Sequence, residues 1–250
     1  MNRDLTAFGA FARGYEKVCR AILLVFVINV AIVAHTLLGV VVAGFFPSIA
    51  AGFSTYRSWL LDSDREWSVK QTWMCFHRVW KQELISANQM GWALAAGWAL
   101  IGYSMFLVLS NDMGTLGYAS SGLLLLAVVI LSLFSLMVWA VRANFAESNR
   151  WAAHVAMVMI IARPACSLLL IAVAILAVLA TFTWPGILAA FGLSLPIGLT
   201  QACVWAAARL PGMSRQTTTA SQQAQSAALS TRGVDQQAHP AETSPERRGK

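Results

Sequence analysis

The stretch Pro164–Ala208, PACSLLLIAVAILAVLATFTWPGILAAFGLSLPIGLTQACVWAAA, carries no Asp, Glu, Lys or Arg over 45 residues. A helix needs about 20 apolar residues to cross a bilayer, so this run has room for two crossings. Trp184-Pro185-Gly186 divides it, and a Pro-Gly pair marks a tight turn. Three segments of the same kind come earlier: Ala21–Ala43, Asn88–Ser110 and Ala119–Val141. Each of the five runs 20 to 23 residues without a formal charge. Composition agrees. The 250 residues are 58% apolar and 12% charged, against about 25% charged in soluble domains. The fold class expected is all-α: a polytopic transmembrane helix bundle with five long spans at 21–43, 88–110, 119–141, 164–183 and 186–208.

The first span follows a basic flank, Arg13, Lys17 and Arg20, as a signal peptide would. Its apolar run exceeds the roughly 7–15 residues of a signal h-region, and further spans follow, so it reads as uncleaved.

Charge orients the spans. The eighteen Lys and Arg residues form four clusters: Arg3–Arg20, Arg57–Lys81, Arg142–Arg163 and Arg209–Lys250. The connections Asn111–Tyr118 and Trp184–Pro185 contain none. Positive charge marks the cytoplasmic side, so those two connections face outward. Five crossings alone put the N-terminal cluster outside. A short helix at 45–60 resolves this if it returns across the membrane or re-enters it. Gly44 then closes the first helix and Pro47 opens the next, the usual asymmetry of helix ends. Arg57 would snorkel to the interface. This six-segment arrangement places both termini in the cytoplasm. The competitor has five spans and an outer N-terminus. The chain then divides into a cytoplasmic segment at 1–20, a membrane bundle at 21–210 and a polar tail at 211–250. That tail has six Gln and few aliphatic residues, too little apolar surface to offset ordering entropy.

Ser68-Val69-Lys70-Gln71 has capping-box spacing and predicts a helix start. Val69, Trp73, Phe76, Trp80 and Leu84 follow at helical spacing, with Lys70, Arg78 and Lys81 on other faces. This is an amphipathic helix for the interface, anchored on lipid by Trp73 and Trp80, which runs on into the span at Asn88. Asn149–Ala162 is a second one, with Trp151, Val155, Val158 and Met159 as its apolar side.

Chemistry-bearing residues are sparse. The long spans hold no Asp or Glu, which lowers the case for an ion-coupled transporter. His35 lies midway along the first span, and Gln201 lies in the last. A neutral His35 hydrogen-bonded between helices is the plain reading. Cys19, Cys75, Cys166 and Cys203 are isolated, and the four His residues are scattered, so neither a metal site nor a cofactor is expected. No GxSxG, Walker loop or HExxH occurs. Small residues line two helix faces: Gly91, Ala95, Ala99 and Gly102, and Ser48, Gly52 and Ser54–Thr55. Such faces let backbones approach in lipid, so both should touch another helix or a second copy of the chain. The basic pI follows from the positive-inside pattern and gives no reason to expect nucleic acid.

Gly44-Phe45-Phe46-Pro47-Ser48-Ile49-Ala50-Ala51-Gly52, with Arg57 and Trp59, resembles the signature of the YesL-like family of bacterial membrane proteins, grouped under a domain of unknown function. Gly44, Phe46, Pro47, Ala51, Arg57 and Trp59 match its pattern, and Ser48 replaces the usual Ala. Downstream, Trp73, Phe76, Trp80, Asn88 and Gly91 resemble the family's aromatic helix and its Asn-x-x-Gly entry to the next span. The resemblance spans roughly residues 10–208. It implies a multi-pass plasma-membrane protein, encoded beside carbohydrate ABC transporters and glycan-degrading enzymes, with no established activity and no catalytic residues. The functional expectation is a non-enzymatic accessory protein of carbohydrate uptake or use that contacts lipid, an ABC permease and, in one variant, its own copy. A small-solute permease or channel acting alone is the alternative.

Overall fold

The computed structural model describes residues 2–111, 114–145, 147–184, 186 and 191–208, with side chains from Gly14 onward. The tail at 211–250, the side chains of Arg3 and Arg13 and the turn at Pro185 lie outside those residues. All described elements are helical: α1 (Asn2–Leu38), α2 (Phe45–Leu61), α3 (Val69–Ser110), α4 (Gly114–Asn144), α5 (Asn149–Ala162), α6 (Pro164–Thr183) and α7 (Ser194–Cys203), the last running into a π-helical turn, Val204–Ala208. Four of the described helices are long and apolar enough to cross a membrane: Gly14–Leu38 within α1, α3, α4 and α6. The expected span at 186–208 differs. A turn at Gly192–Leu193 interrupts it before α7 and its π-helical continuation to Ala208, and residues 187–190 lie outside the described residues. The first helix also differs, because it ends at Leu38 and not at Ala43, and it incorporates residues 2–20.

The short helix α2 is the hub. It packs against α1, α3, α4 and α7, and residues on all its sides are buried, from Pro47 to Leu60. Seventeen residues rise about 26 Å. A helix surrounded this way must satisfy its own polar groups. Ser48, Thr55 and Ser58 do so by donating to the carbonyls of Gly44, Ala51 and Ser54, each four residues back. The small face expected there is buried: Ser48, Gly52 and Thr55 lie inside. Gly52 lets Ile32 of α1 and Ile197 of α7 close in from either side.

The capping box at Ser68 and Gln71 forms as the spacing predicts, and α3 continues for 42 residues without a break. Its buried side is Thr72, Phe76, Trp80, Ala87, Met90, Gly91 and Leu94. Trp80 is therefore a bundle residue and not a lipid anchor, while Val69 and Trp73 stay partly exposed. The small stripe on α3 is used only at its start. Gly91 is buried, Ala95 half-buried, and Ala99 and Gly102 exposed. Farther along, Gly97 meets Leu131, and Trp98 Nε1 donates to Ser135 of α4. In α5 the buried side is Ala152, Ala156 and Met159. Trp151 and Val158 point outward. Close helix approach favours the small residues Ala152 and Ala156, with Met159 of the expected apolar side packed beside them.

The start of α7 is pinned by polar contacts. Ser194 Oγ donates to Val25 O of α1 (2.8 Å), so Tyr56 OH of α2 is the donor in its 2.6 Å bond to Ser194 Oγ. Leu193 N donates to Asn29 Oδ1. Gly198 lies under the Tyr56 ring, and an added Cβ there would sit 2.8 Å from Tyr56 Cζ. With its ring buried and its hydroxyl bonded, Tyr56 has little freedom to move. Gly198→Ala should therefore cost about 1–3 kcal/mol by overpacking. Gly122→Ala, which meets open space, should cost nothing. Thermal unfolding of the two variants in mild detergent checks the contrast.

Candidate functional site

The α1–α2 turn and the aromatic helix on its flank hold most of the residues singled out in the sequence. The turn covers 39–44. Gly39 N donates to His35 O (3.0 Å) and Val41 N to Thr36 O (2.8 Å), which closes α1. Phe45 N and Ser48 N return to Val41 O and Gly44 O to open α2. The two glycines make this possible. A Cβ on Gly44 would lie 2.6 Å from both His35 O and Thr36 O, and one on Gly39 would lie 2.5 Å from Gly44 N. Val40 and Val41 adopt left-handed backbone, with φ of 55° and 62°. β-branched residues rarely do so, and such strain persists only where the surroundings over-determine it.

Helix α3 supplies that constraint. Asn88 Nδ2 donates to Ala43 O (2.8 Å) and to Leu84 O (2.6 Å). Trp80 Nε1 points at Gly44 O at 3.5 Å. Phe46 lays its ring on Gly91, where any Cβ would fall inside the ring, and it meets Trp92 edge-on at 5.4 Å. Pro47 is buried in the first turn of α2, where a missing N–H costs no bond. It is the third residue of that helix and not the first, because Gly44 is the cap.

The Asn88–Ala43 bond puts one constraint on the topology. In the six-segment arrangement Ala43 ends a crossing at the outer face, and Asn88 begins one at the inner face. Those points would be about 30 Å apart. The bond places them at one level, so a full return crossing at 45–60 and an inner entry at Asn88 do not coexist.

One turn before the end of α1, His35 is buried among rings of α3. Its imidazole lies 5.0–5.2 Å from the ring centroids of Trp73, Phe76, His77 and Trp80. His35 Nδ1 is 2.8 Å from Ala31 O, and Nε2 is 2.9 Å from His77 Nδ1. A carbonyl only accepts, so His35 Nδ1 carries the hydrogen. For the neutral ring Nε2 is then the acceptor, and His77 Nδ1–H is the donor. The interhelical bond expected of His35 is thus present. Its partner was hidden by lying 42 positions away along the chain. His77 shares a helix face with Trp73 and Trp80, and that spacing was the available signal. Among the described residues no group of three or more metal-ligating side chains exists.

Arg57 and Trp59 sit at the far end of α2. Arg57 does not snorkel outward; its Nε donates to Asn144 Oδ1 of α4 (2.9 Å). Trp59 organises the 62–68 connection. Its Nε1 donates to Arg65 O, and the Arg65 guanidinium lies 5.3 Å from its ring centroid.

A second polar cluster escaped the sequence reading. Arg142 of α4, its side chain 7% exposed, pairs with Glu83 and bonds Ser86 of α3 and Asn149 of α5. Asn149 Nδ2 donates back to Ser86 O (2.9 Å). Glu83 is the lone acid of α3, which was the clue in the sequence. The cluster ties the junction of three helices.

Residues 25–105 match the family model described as "Protein of unknown function, DUF624". The match runs from mid-α1 to near the end of α3 and contains the whole α1–α2 turn and its aromatic flank. It is narrower than the resemblance read from the sequence. No curated protein and no solved structure matches the chain.

Two sets of variants test this geometry. Gly91→Ala should destabilise, and Phe46→Ala in the same chain should recover part of the loss, because the clash is with a side chain. Gly44→Ala should cost about 3 kcal/mol or more with no such rescue, because its clash is with backbone oxygens. Gly102→Ala, in open space, is the neutral control. Glu83→Ala should cost about 3–5 kcal/mol, since it strands Arg142 in the interior. Arg142→Lys should restore little, because one ammonium does not reproduce a three-partner guanidinium fork. Unfolding midpoints in detergent measure each.

Proposed function

We propose that the chain is a non-enzymatic integral protein of the bacterial cell membrane that acts as an accessory factor in carbohydrate uptake or use, by helix contact with an ABC-type permease. The observation that carries this reading is how the signature residues are used. Gly44, Phe46, Pro47, Trp80, Asn88 and Gly91 serve the packing of one hairpin on one helix. They build a rigid shape and present no reactive group to a substrate. The apolar halves of α3, α4 and α6 are largely uncovered within the chain, which leaves them to lipid or to another membrane protein. The link to carbohydrate rests on the YesL-like resemblance.

The basic connections favour a cytoplasmic face for the 62–87 and 142–163 segments. With Ala43 level with Asn88, that cytoplasmic face favours the competing arrangement with an outer N-terminus. A cysteine near residue 5 should then react with an impermeant thiol reagent in intact cells.

A permease acting alone is the second reading. Gln201 favours it: its amide is fully buried in α7 with both polar atoms unpartnered, beside the equally unpartnered Thr200 Oγ1. Buried polar groups of that kind in a membrane bundle mark solute paths. The readings separate experimentally. An accessory protein should co-purify with a carbohydrate permease in mild detergent, and its deletion should lower uptake only when that permease is present. Solute flux through proteoliposomes containing this chain alone would overturn the accessory reading.

A further inference from the structure

We propose that His35 and His77 form a one-proton site, and that a second proton releases the α1–α2 turn from α3. The inference does not depend on the accessory reading. It rests on the donor and acceptor pattern of the pair. Ala31 O holds the hydrogen on His35 Nδ1 (2.8 Å), so His35 Nε2 meets His77 Nδ1 (2.9 Å) as an acceptor. His77 Nε2 has no protein partner among the described residues, and the His77 ring is only half-buried. A first proton enters there. His77 becomes an imidazolium, and its Nδ1–H still donates to His35, now as a charge-assisted bond. The rings of Trp73, Phe76 and Trp80 lie around His35 in tilted or edge arrangements and hold it in the contact.

A second proton has only His35 Nε2 to bind. Two N–H groups then face each other across the contact. The hydrogen bond is lost, and two like charges meet in a buried site. Among the described residues no carboxylate is placed to compensate. On α1 the charged and titratable side chains described are Tyr15, Glu16, Lys17, Cys19 and Arg20, four or more turns before His35. On α2 the charged group is Arg57, bonded to Asn144 at the other end of the helix. On α3 they are Lys70, Cys75, Arg78, Lys81 and Glu83, of which Glu83 is paired with Arg142. Asp62, Asp64 and Glu66 belong to the preceding connection. Among the described residues His77 is the titratable group in hydrogen-bond contact with His35. Release would free the end of α1 and, with it, the strained backbone at Val40 and Val41.

His77→Gln gives a specific test. A glutamine amide donates to neutral His35 Nε2. On protonation it turns over, and its oxygen accepts from Nε2–H. The contact survives in both states. Full-length protein in nanodiscs is compared by hydrogen exchange of residues 36–46, corrected for intrinsic rate, at about pH 8 and about pH 5, the range of imidazole titration. The wild type should open about tenfold more at acid pH, as the loss of one buried hydrogen bond implies. His77→Gln should hold its protection. Equal acid opening in both proteins, or none in the wild type, overturns the proposal. If His77→Gln does not fold, ¹⁵N-imidazole NMR of the wild type decides. Neutral rings should both carry hydrogen on Nδ1, with coupling across the His77–His35 bond. Two imidazolium rings alongside a still-protected turn would contradict the release.

Discussion

The start of α2 lies directly on the last carbonyls of α1, and only a residue without Cβ fits there. That contact, Gly44 against His35 O and Thr36 O with Gly39 alongside, sets the rest. It forces a six-residue reversal with two valines in left-handed backbone. The reversal presents the carbonyls of Ala43 and Gly44 to α3, although Gly44 O already accepts from Ser48 N and Oγ. Asn88 and Trp80 of α3 meet them. Once α3 is tied to the turn, Phe46 must find room on α3, and Gly91 provides it. His35, one turn earlier, enters the aromatic side of the same helix. A glycine pair thus fixes the register of α1, α2 and α3 together.

Where hydrocarbon surrounds a protein, burial of apolar groups does not drive helices together, so close packing and polar closure carry the load. The bundle follows this logic. Hydroxyls of α2 bond within their own helix. Tyr56, Ser194 and the Val25 carbonyl form a directed chain across three helices. Arg142 is surrounded by Glu83, Ser86 and Asn149. Gln201 stands out because both polar atoms of its buried amide lack a partner, whereas Thr36, Asn88, Arg142 and Thr200 each leave one such atom.

The helical class, the capping box at Ser68, the continuity of α3 through Asn88 and the bounds of α5 were legible in the sequence, because they depend on local periodicity and end chemistry. Gly44, Phe46, Pro47, Asn88 and Gly91 were legible as a group through resemblance, though not what each touches. The rest needed tertiary contact. The 2.9 Å approach of His77 to His35 and that of Arg142 to Glu83 join residues 42 and 59 positions apart, and no pattern in one chain encodes such a pairing. For α5 the apolar side was legible, while the inward packing of Ala152 and Ala156 was not. The helix at 45–60 was legible from the charge pattern with Gly44 and Pro47 as end signals, whereas the hydrogen bond from Asn88 to Ala43 was not.

The central claim is that the α1–α2 turn and the entry of the apolar half of α3 share one level of the membrane. A direct measurement is the distance between spin labels at Ala43→Cys and Gln89→Cys, both exposed positions, in an otherwise cysteine-free chain in nanodiscs. A distribution centred well inside the about 30 Å of a hydrocarbon core agrees with this account, and one centred at or beyond that thickness contradicts it.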